Sequence, residues 1–109
     1  MAPNLDRKVA RGAKRLDRYH PGWWRKIDVA ELEMADGEHC ILGQCYVGGD
    51  GYLQGLSALE IPMNKRGIRE DEQFGFDVRL TGDESYAELR DAWVRYLKAR
   101  YVAEAGRMK

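Results

Sequence analysis

An all-α or nearly all-α fold of about five helices in one domain spanning 1–109 is what this sequence predicts, and three observations carry the prediction. Helix formers (Ala, Leu, Glu, Arg, Lys) are abundant, whereas Thr occurs once and Ile four times, a mixture poor in the β-branched residues that favour strands. Apolar residues recur three and four apart in the opening and closing segments. Helix-start residues (Asn4, Asp28, Ser85) and helix-stop residues (Pro21, Pro62) bracket the periodic stretches.

The first helix is expected to begin with Asn4 as N-cap and to end before Pro21. At about 100° per residue, Leu5, Val9, Gly12, Ala13 and Leu16 share one sector. Arg7, Lys8, Arg11, Lys14, Arg15 and Arg18 fall on the other side, with Asp6 and Asp17 on the flank. Tyr19-His20-Pro21-Gly22 breaks this helix. Trp23 and Trp24 follow and cannot both point inward, so one anchors the core and the other faces the surface or an interface.

Asp28 with Glu31 three residues on predicts a capped short helix to about Met34, and Asp36-Gly37 a turn. From Cys40 to Tyr46 the apolar spacing suits a buried helix, a short buried strand being the alternative. Gly48-Gly49-Asp50-Gly51 reads as a loop. Tyr52, Leu53, Leu56 and Leu59 then predict a helix that stops at Pro62. A polar stretch, 63–73, leads to Phe74-Gly75-Phe76-Asp77-Val78, expected to be a short extended segment with both rings inward. Ser85-Tyr86-Ala87-Glu88 is a capping box opening the last helix, with Tyr86, Leu89, Trp93, Tyr96 and Leu97 as its buried stripe. The N- and C-terminal helices are expected to be the longest. Arg100 interrupts the stripe: either the helix runs past the body there, or Arg100 has an acidic or ligand partner. The expected core is Leu5, Val9, Leu16, Trp23, Ile27, Leu32, Ile41, Leu42, Leu56, Phe76, Leu89, Trp93 and Leu97.

Composition narrows the class. At 44% hydrophobic and 33% charged, with three Trp and six Tyr, the chain is globular and not disordered. The N-terminus has no apolar run of signal type, and nothing approaches the ~18 residues of a membrane span. Two Cys are too few for a disulfide scaffold, so a cytoplasmic setting with reduced thiols is expected. The net charge of zero hides an uneven layout. Residues 1–26 carry eight Lys/Arg against two Asp, whereas 27–60 carry seven Asp/Glu and no Lys or Arg. The two blocks either face each other, within the monomer or across a homodimer, or leave a basic surface for a partner.

No pattern specifies a reaction. Cys40 and Cys45 are spaced C-x₄-C, wider than zinc pairs, and on a helix they lie on different faces, so neither a metal nor a disulfide is expected. The glycine loop before the 52–59 helix lacks the third Gly of a dinucleotide fingerprint and the Lys-Ser/Thr of a P-loop, and Asp50 would repel an anion. Ser57 and Ser85 are the only serines, and Ser85 is a cap. The reading is therefore non-enzymatic, with no catalytic residue and no cofactor. The six cations of the first helix are the expected partner- or anion-binding surface, and Trp24, Gln44 and Arg100 are further ligand or interface residues. Gln44 is expected to be buried, where it either satisfies backbone groups or touches a ligand.

One resemblance adds a setting. Pro21-Gly22-Trp23-Trp24 followed by Ile27-Asp28, Leu32 and Met34, then Cys40-Ile41-Leu42-Gly43-Gln44, Gly75-Phe76-Asp77 and the Tyr86-Ala87-x-Leu89-x₃-Trp93 helix resembles a group of small proteins of actinobacterial viruses, mycobacteriophages among them. The likeness spans 13–97, with departures at Cys45 and Val47. It implies no established activity, cofactor or catalytic residue. It does imply an accessory protein that works inside an infected bacterial host, binding a host protein or blunting host defence. Sequestering a phosphorylated nucleotide signal and binding nucleic acid are the other expectations, with a homodimer and no membrane role.

Overall fold

The computed structural model describes residues 3–46, 51–63, 70–77 and 85–107. Among the described residues four α-helices follow one another: α1 (Pro3–Tyr19), α2 (Ile41–Cys45), α3 (Gly51–Ala58) and α4 (Tyr86–Arg107). Three single 3₁₀ turns, Trp23–Lys26, Val29–Glu31 and Asp71–Phe74, join them, and there is no strand among the described residues. The terminal helices are the longest, at 17 and 22 residues.

α1 begins at Pro3, one residue before the expected cap; proline suits the first helical position because its missing N–H has no helical acceptor there. Leu5, Val9, Gly12, Ala13 and Leu16 are all buried, as one sector requires. The helix ends at Tyr19, and Gly22, at a left-handed φ of 82°, opens the next turn. The turn that follows drops Trp23 into the core, and its indole Nε1 donates to Asp17 Oδ1 at 3.0 Å.

The expected fifth helix at 28–34 closes only one 3₁₀ turn. Asp28 does cap it, accepting from the Ala30 N–H at 3.0 Å, but Leu32 is already extended. Burial gives the reason. Leu32 and Met34 are buried while Glu31, Glu33 and Ala35 are exposed, and residues two apart share a side only in extended chain.

The stretch at Cys40–Tyr46 is helical, not a strand. Cys40 Sγ accepts from the Gly43 N–H at 3.3 Å and so caps α2. α2 packs directly on α3. A side chain on Gly43 would strike the backbone of Gly37 and Glu38, and one on Gly51 would strike the Tyr46 carbonyl. α3 ends in a Schellman arrangement: the Ile61 N–H reaches Leu56 O at 3.0 Å and the Glu60 N–H reaches Ser57 O at 3.1 Å. Glu60 takes the left-handed position at φ 53°. Leu56 on α3 and Leu59 just after it are buried, whereas Leu53, expected on the same face, is exposed.

The extended segment expected at 74–78 is instead a tight turn. Phe74 ends a 3₁₀ turn and is half-buried, Gly75 takes φ 73°, and Phe76 alone enters the core; Val78 lies outside the described residues. The turn is set by its neighbour. Gly75 abuts the α1 backbone at Lys8 and Val9, and Gly12 abuts the Phe74 carbonyl, so neither position has room for a side chain. Trp93 Nε1 donates to Gly75 O at 2.6 Å from α4, fixing the turn between the two long helices. Phe76 and Trp23 flank Trp93, each with its ring centroid 5.8 Å away.

Ser85 opens α4 by accepting from the Glu88 N–H at 3.1 Å. Ala92 joins Leu89, Trp93 and Leu97 in its buried stripe. All thirteen residues expected in the core are buried. No buried side-chain polar atom among the described residues lacks a hydrogen-bond partner.

Candidate functional site: the cationic outer face of α1

Packing divides the six cations of α1 into two sets. Arg7, Arg11, Lys14 and Arg18 recur at i, i+4, i+7 and i+11, within an arc of about 60°, and rise about 16 Å along the axis. All four are exposed. Arg18 lies over the Tyr19 ring, 5.4 Å from its centroid. Arg7, Arg11 and Lys14 hold no hydrogen bond or ion pair among the described residues.

Lys8 and Arg15 are different, which corrects the expectation of six equivalent cations. They lie nearer the apolar sector, at its flank, and both are half-buried. Arg15 donates to Leu59 O at 3.1 Å and to Glu60 O at 3.2 Å, and its guanidinium covers Phe74 at 5.1 Å. It neutralises the negative end of α3 and satisfies terminal carbonyls. Lys8 is engaged as well. On the other flank, Asp6 pairs with Arg95 at 2.8 Å and Asp17 with Arg100 at 3.0 Å. The flanks of α1 are spent on the fold, and its back is free.

Arg100 proves to have an acidic partner and is no mere marker of a projecting end. Its Nη atoms donate to both Asp17 oxygens at 3.0 and 3.1 Å, Nε donates to Glu104 at 3.0 Å, and Nη1 reaches the Tyr96 hydroxyl at 3.2 Å. These partners raise its pKa further, Asp17 most of all. Trp24 is half-buried beneath the same cluster, 5.7 Å from Arg100, 4.7 Å from Arg25 and 6.0 Å from the Tyr101 ring. Tyr101 donates to the Trp24 carbonyl at 3.2 Å. Gln44 is half-buried, not buried, and is a clip: Oε1 accepts from the Asp28 N–H at 2.6 Å, and Nε2 donates to Asp28 O at 3.2 Å and His39 O at 2.9 Å. Gln44 thus satisfies backbone groups and Arg100 meets acids, one of the alternatives expected for each, and with Trp24 they hold the chain together.

Two surface hollows present carboxylates to an entering ligand. An open groove of about 550 Å³ is lined by Asp17, Pro21, Gly22, Arg100, Glu104 and Arg107. Its central arginine is already bound to two carboxylates, so a phosphate entering it would meet Asp17 and Glu104. A smaller cavity of about 210 Å³ lies among Met34, Tyr52, Phe76, Asp77 and Tyr86. Tyr52 donates to Asp71, and Tyr86 donates to Asp77 at 2.8 Å. The Asp77 carboxylate, with burial, pushes the Tyr86 phenol up to about 12, while burial and then Asp71 raise Tyr52. Both phenols stay neutral beside carboxylates, an environment that repels phosphate.

Burial pushes the Cys45 thiol up to about 12 and raises Cys40 as well, which disfavours the thiolate that a nucleophile needs. Among the described residues no three His, Cys, Asp or Glu side chains converge as a metal site. No helix among them is long and apolar enough to cross a membrane. Of the glycine loop at 48–51, only Gly51 lies within the described residues, buried as the first residue of α3.

Compared with known proteins, the chain matches no family model, no curated protein and no solved structure.

Proposed function

We propose that this is a non-enzymatic binding protein of viral origin whose outer α1 face docks on an acidic surface of a host protein. One observation carries the reading: Arg7, Arg11, Lys14 and Arg18 form a continuous exposed row, and none is held by an ion pair among the described residues. The fold gains little from such a row, since exposed charges contribute little to stability. A partner gains more from it, because aligned cations speed encounter with an acidic surface and fix its register. The resemblance to accessory proteins of actinobacterial viruses supplies the setting, the cytoplasm of an infected cell, and a role in host takeover or counter-defence. Neither hollow favours a phosphorylated nucleotide as ligand, because each presents carboxylates to it.

The test is capture from a nuclease-treated lysate of an actinobacterial host, by the wild type and by Arg11→Glu/Lys14→Glu. The variant is expected to lose capture of a defined protein at least tenfold, with stability changed by less than about 0.5 kcal/mol. Equal capture by both overturns the reading. The same row supports nucleic acid as a second reading. In that case nuclease abolishes capture, and affinity for duplex DNA falls with a log–log salt slope of roughly −3 to −4 for four phosphate contacts.

A further inference from the structure

We infer that a second copy of this chain is a ligand of the cationic row, presenting to it the acidic loop 28–38 in a head-to-tail contact that occludes the α1 face. The inference rests on that face being free, as the functional reading does, but not on any host partner.

The loop is a prepared surface. No Lys or Arg occurs between residues 27 and 60. Asp28, Glu31, Glu33 and Glu38 are exposed, and the one ion pair that this loop makes among the described residues is Asp36 with His39, at 2.8 Å. Its alternation turns Leu32 and Met34 inward and therefore Glu31 and Glu33 outward. It is also tied down. Glu33 N–H reaches His39 O at 3.2 Å, Cys40 N–H reaches Asp36 O at 2.9 Å, and Gln44 bridges Asp28 and His39. A surface ordered in advance loses little entropy on docking.

The row and the loop do not meet within one chain. Arg90 donates to Val29 O and Leu32 O, and Tyr101 donates to Ile27 O; on an ideal helix these two positions of α4 project about 20° apart. α1 packs on α4 through Asp6–Arg95 and Asp17–Arg100, two positions whose mean direction on an ideal helix lies about 160° from that of Arg90 and Tyr101. Complementary patches on opposite flanks make a heterologous contact, which adds copies in a chain instead of closing a two-fold pair. With a net charge of zero, no overall repulsion opposes it.

The experiment is light scattering on the purified protein alone, with wild type, Arg11→Glu/Lys14→Glu and Glu31→Lys/Glu33→Lys. In about 20 mM salt the wild-type mass is expected to rise with concentration to at least twice the 12.5 kDa monomer, and to return to the monomer in about 0.5 M salt. Each variant alone, with one of its two surfaces brought to zero net charge, should stay monomeric. Mixed one to one, the two variants should associate again, because the intact row of one meets the intact loop of the other; this recovery also shows that both are folded. A wild type that stays monomeric at every concentration, association that persists in high salt, or a mixture no heavier than its parts overturns the inference. No host material is present, so failure here leaves host capture untouched, and failure of host capture leaves this result standing.

Discussion

Arg100 on α4 and Arg11 on α1 sit on the two longest helices and do opposite work. Arg100 places four donor bonds on Asp17, Glu104 and Tyr96, whereas Arg11 makes none among the described residues. Both are arginines on long helices, so residue type does not separate them. Angular position does. An arginine within reach of a neighbouring element is drawn into its acids and carbonyls, and one at the back of the helix keeps its charge for whatever arrives from outside. Charge at the flanks builds the fold, and charge at the back is available for recognition.

Removing a flank charge should therefore cost most. Asp17→Ala takes away both Arg100 bonds and the Trp23 indole acceptor. An expected loss of about 2–3 kcal/mol follows from charge-assisted bonds that are only partly shielded from water, read as a lower urea midpoint. A change below about 0.5 kcal/mol would erase the contrast. Arg15→Ala comes next, at about 1 kcal/mol, because α3 loses a cation on its terminal carbonyls and Phe74 loses its cover. Glu60→Gly at the same junction should stabilise by about 1 kcal/mol, since glycine takes φ 53° without strain; thermal melts of these two variants should move in opposite directions.

The smallest effect is one of pH and compares the two histidines. Burial lowers the pKa of His20, so its contribution is lost as pH falls through 6.5, where the unfolded chain binds the proton first. The bond to Asp36 raises His39, so its contribution is present below 6.5 and fades as pH rises through the folded value. His39→Gln should therefore lose more stability at about pH 5.5 than at about pH 8, and His20→Gln should relieve the acid-side loss. Melting curves with the same pH dependence for both variants would contradict these assignments.

Local information made much of the fold legible. The sector Leu5–Val9–Leu16, the Ser85 cap and the apolar spacing of 40–46 depend on residues within a turn or two, and the structure matches them. What local pattern missed depends on distant partners. Arg15 answers to carbonyls 44 and 45 residues away, and Arg100 to an acid 83 residues away. The turn at Phe74–Phe76 answers to the α1 backbone at Lys8, Val9 and Gly12. One miss carried its own signal. The Glu31-Leu32-Glu33-Met34 alternation is a strand-like period inside a segment read as a helix, and taken alone it would have predicted extended chain.

The candidate surface was half legible. Helical phase sufficed to put Arg7, Arg11, Lys14 and Arg18 at the back of α1, but treating everything outside the apolar sector as equivalent brought in Lys8 and Arg15. Trp24 and Gln44 stood out by type: Gln44 meets backbone groups, one of its two expected roles, whereas Trp24 meets Arg100 and Tyr101, partners that no local pattern announces.

The division between engaged and free cations can be read most directly from lysine reactivity. Lys14 and Lys8 lie on the same helix, and limited acylation in dilute protein at about 0.5 M salt, followed by peptide mass spectrometry, compares them in one sample. Lys14 is expected to be modified several-fold faster than Lys8. Equal rates, or a faster Lys8, would contradict the claim that the back of α1 is the part of this helix left open to a partner.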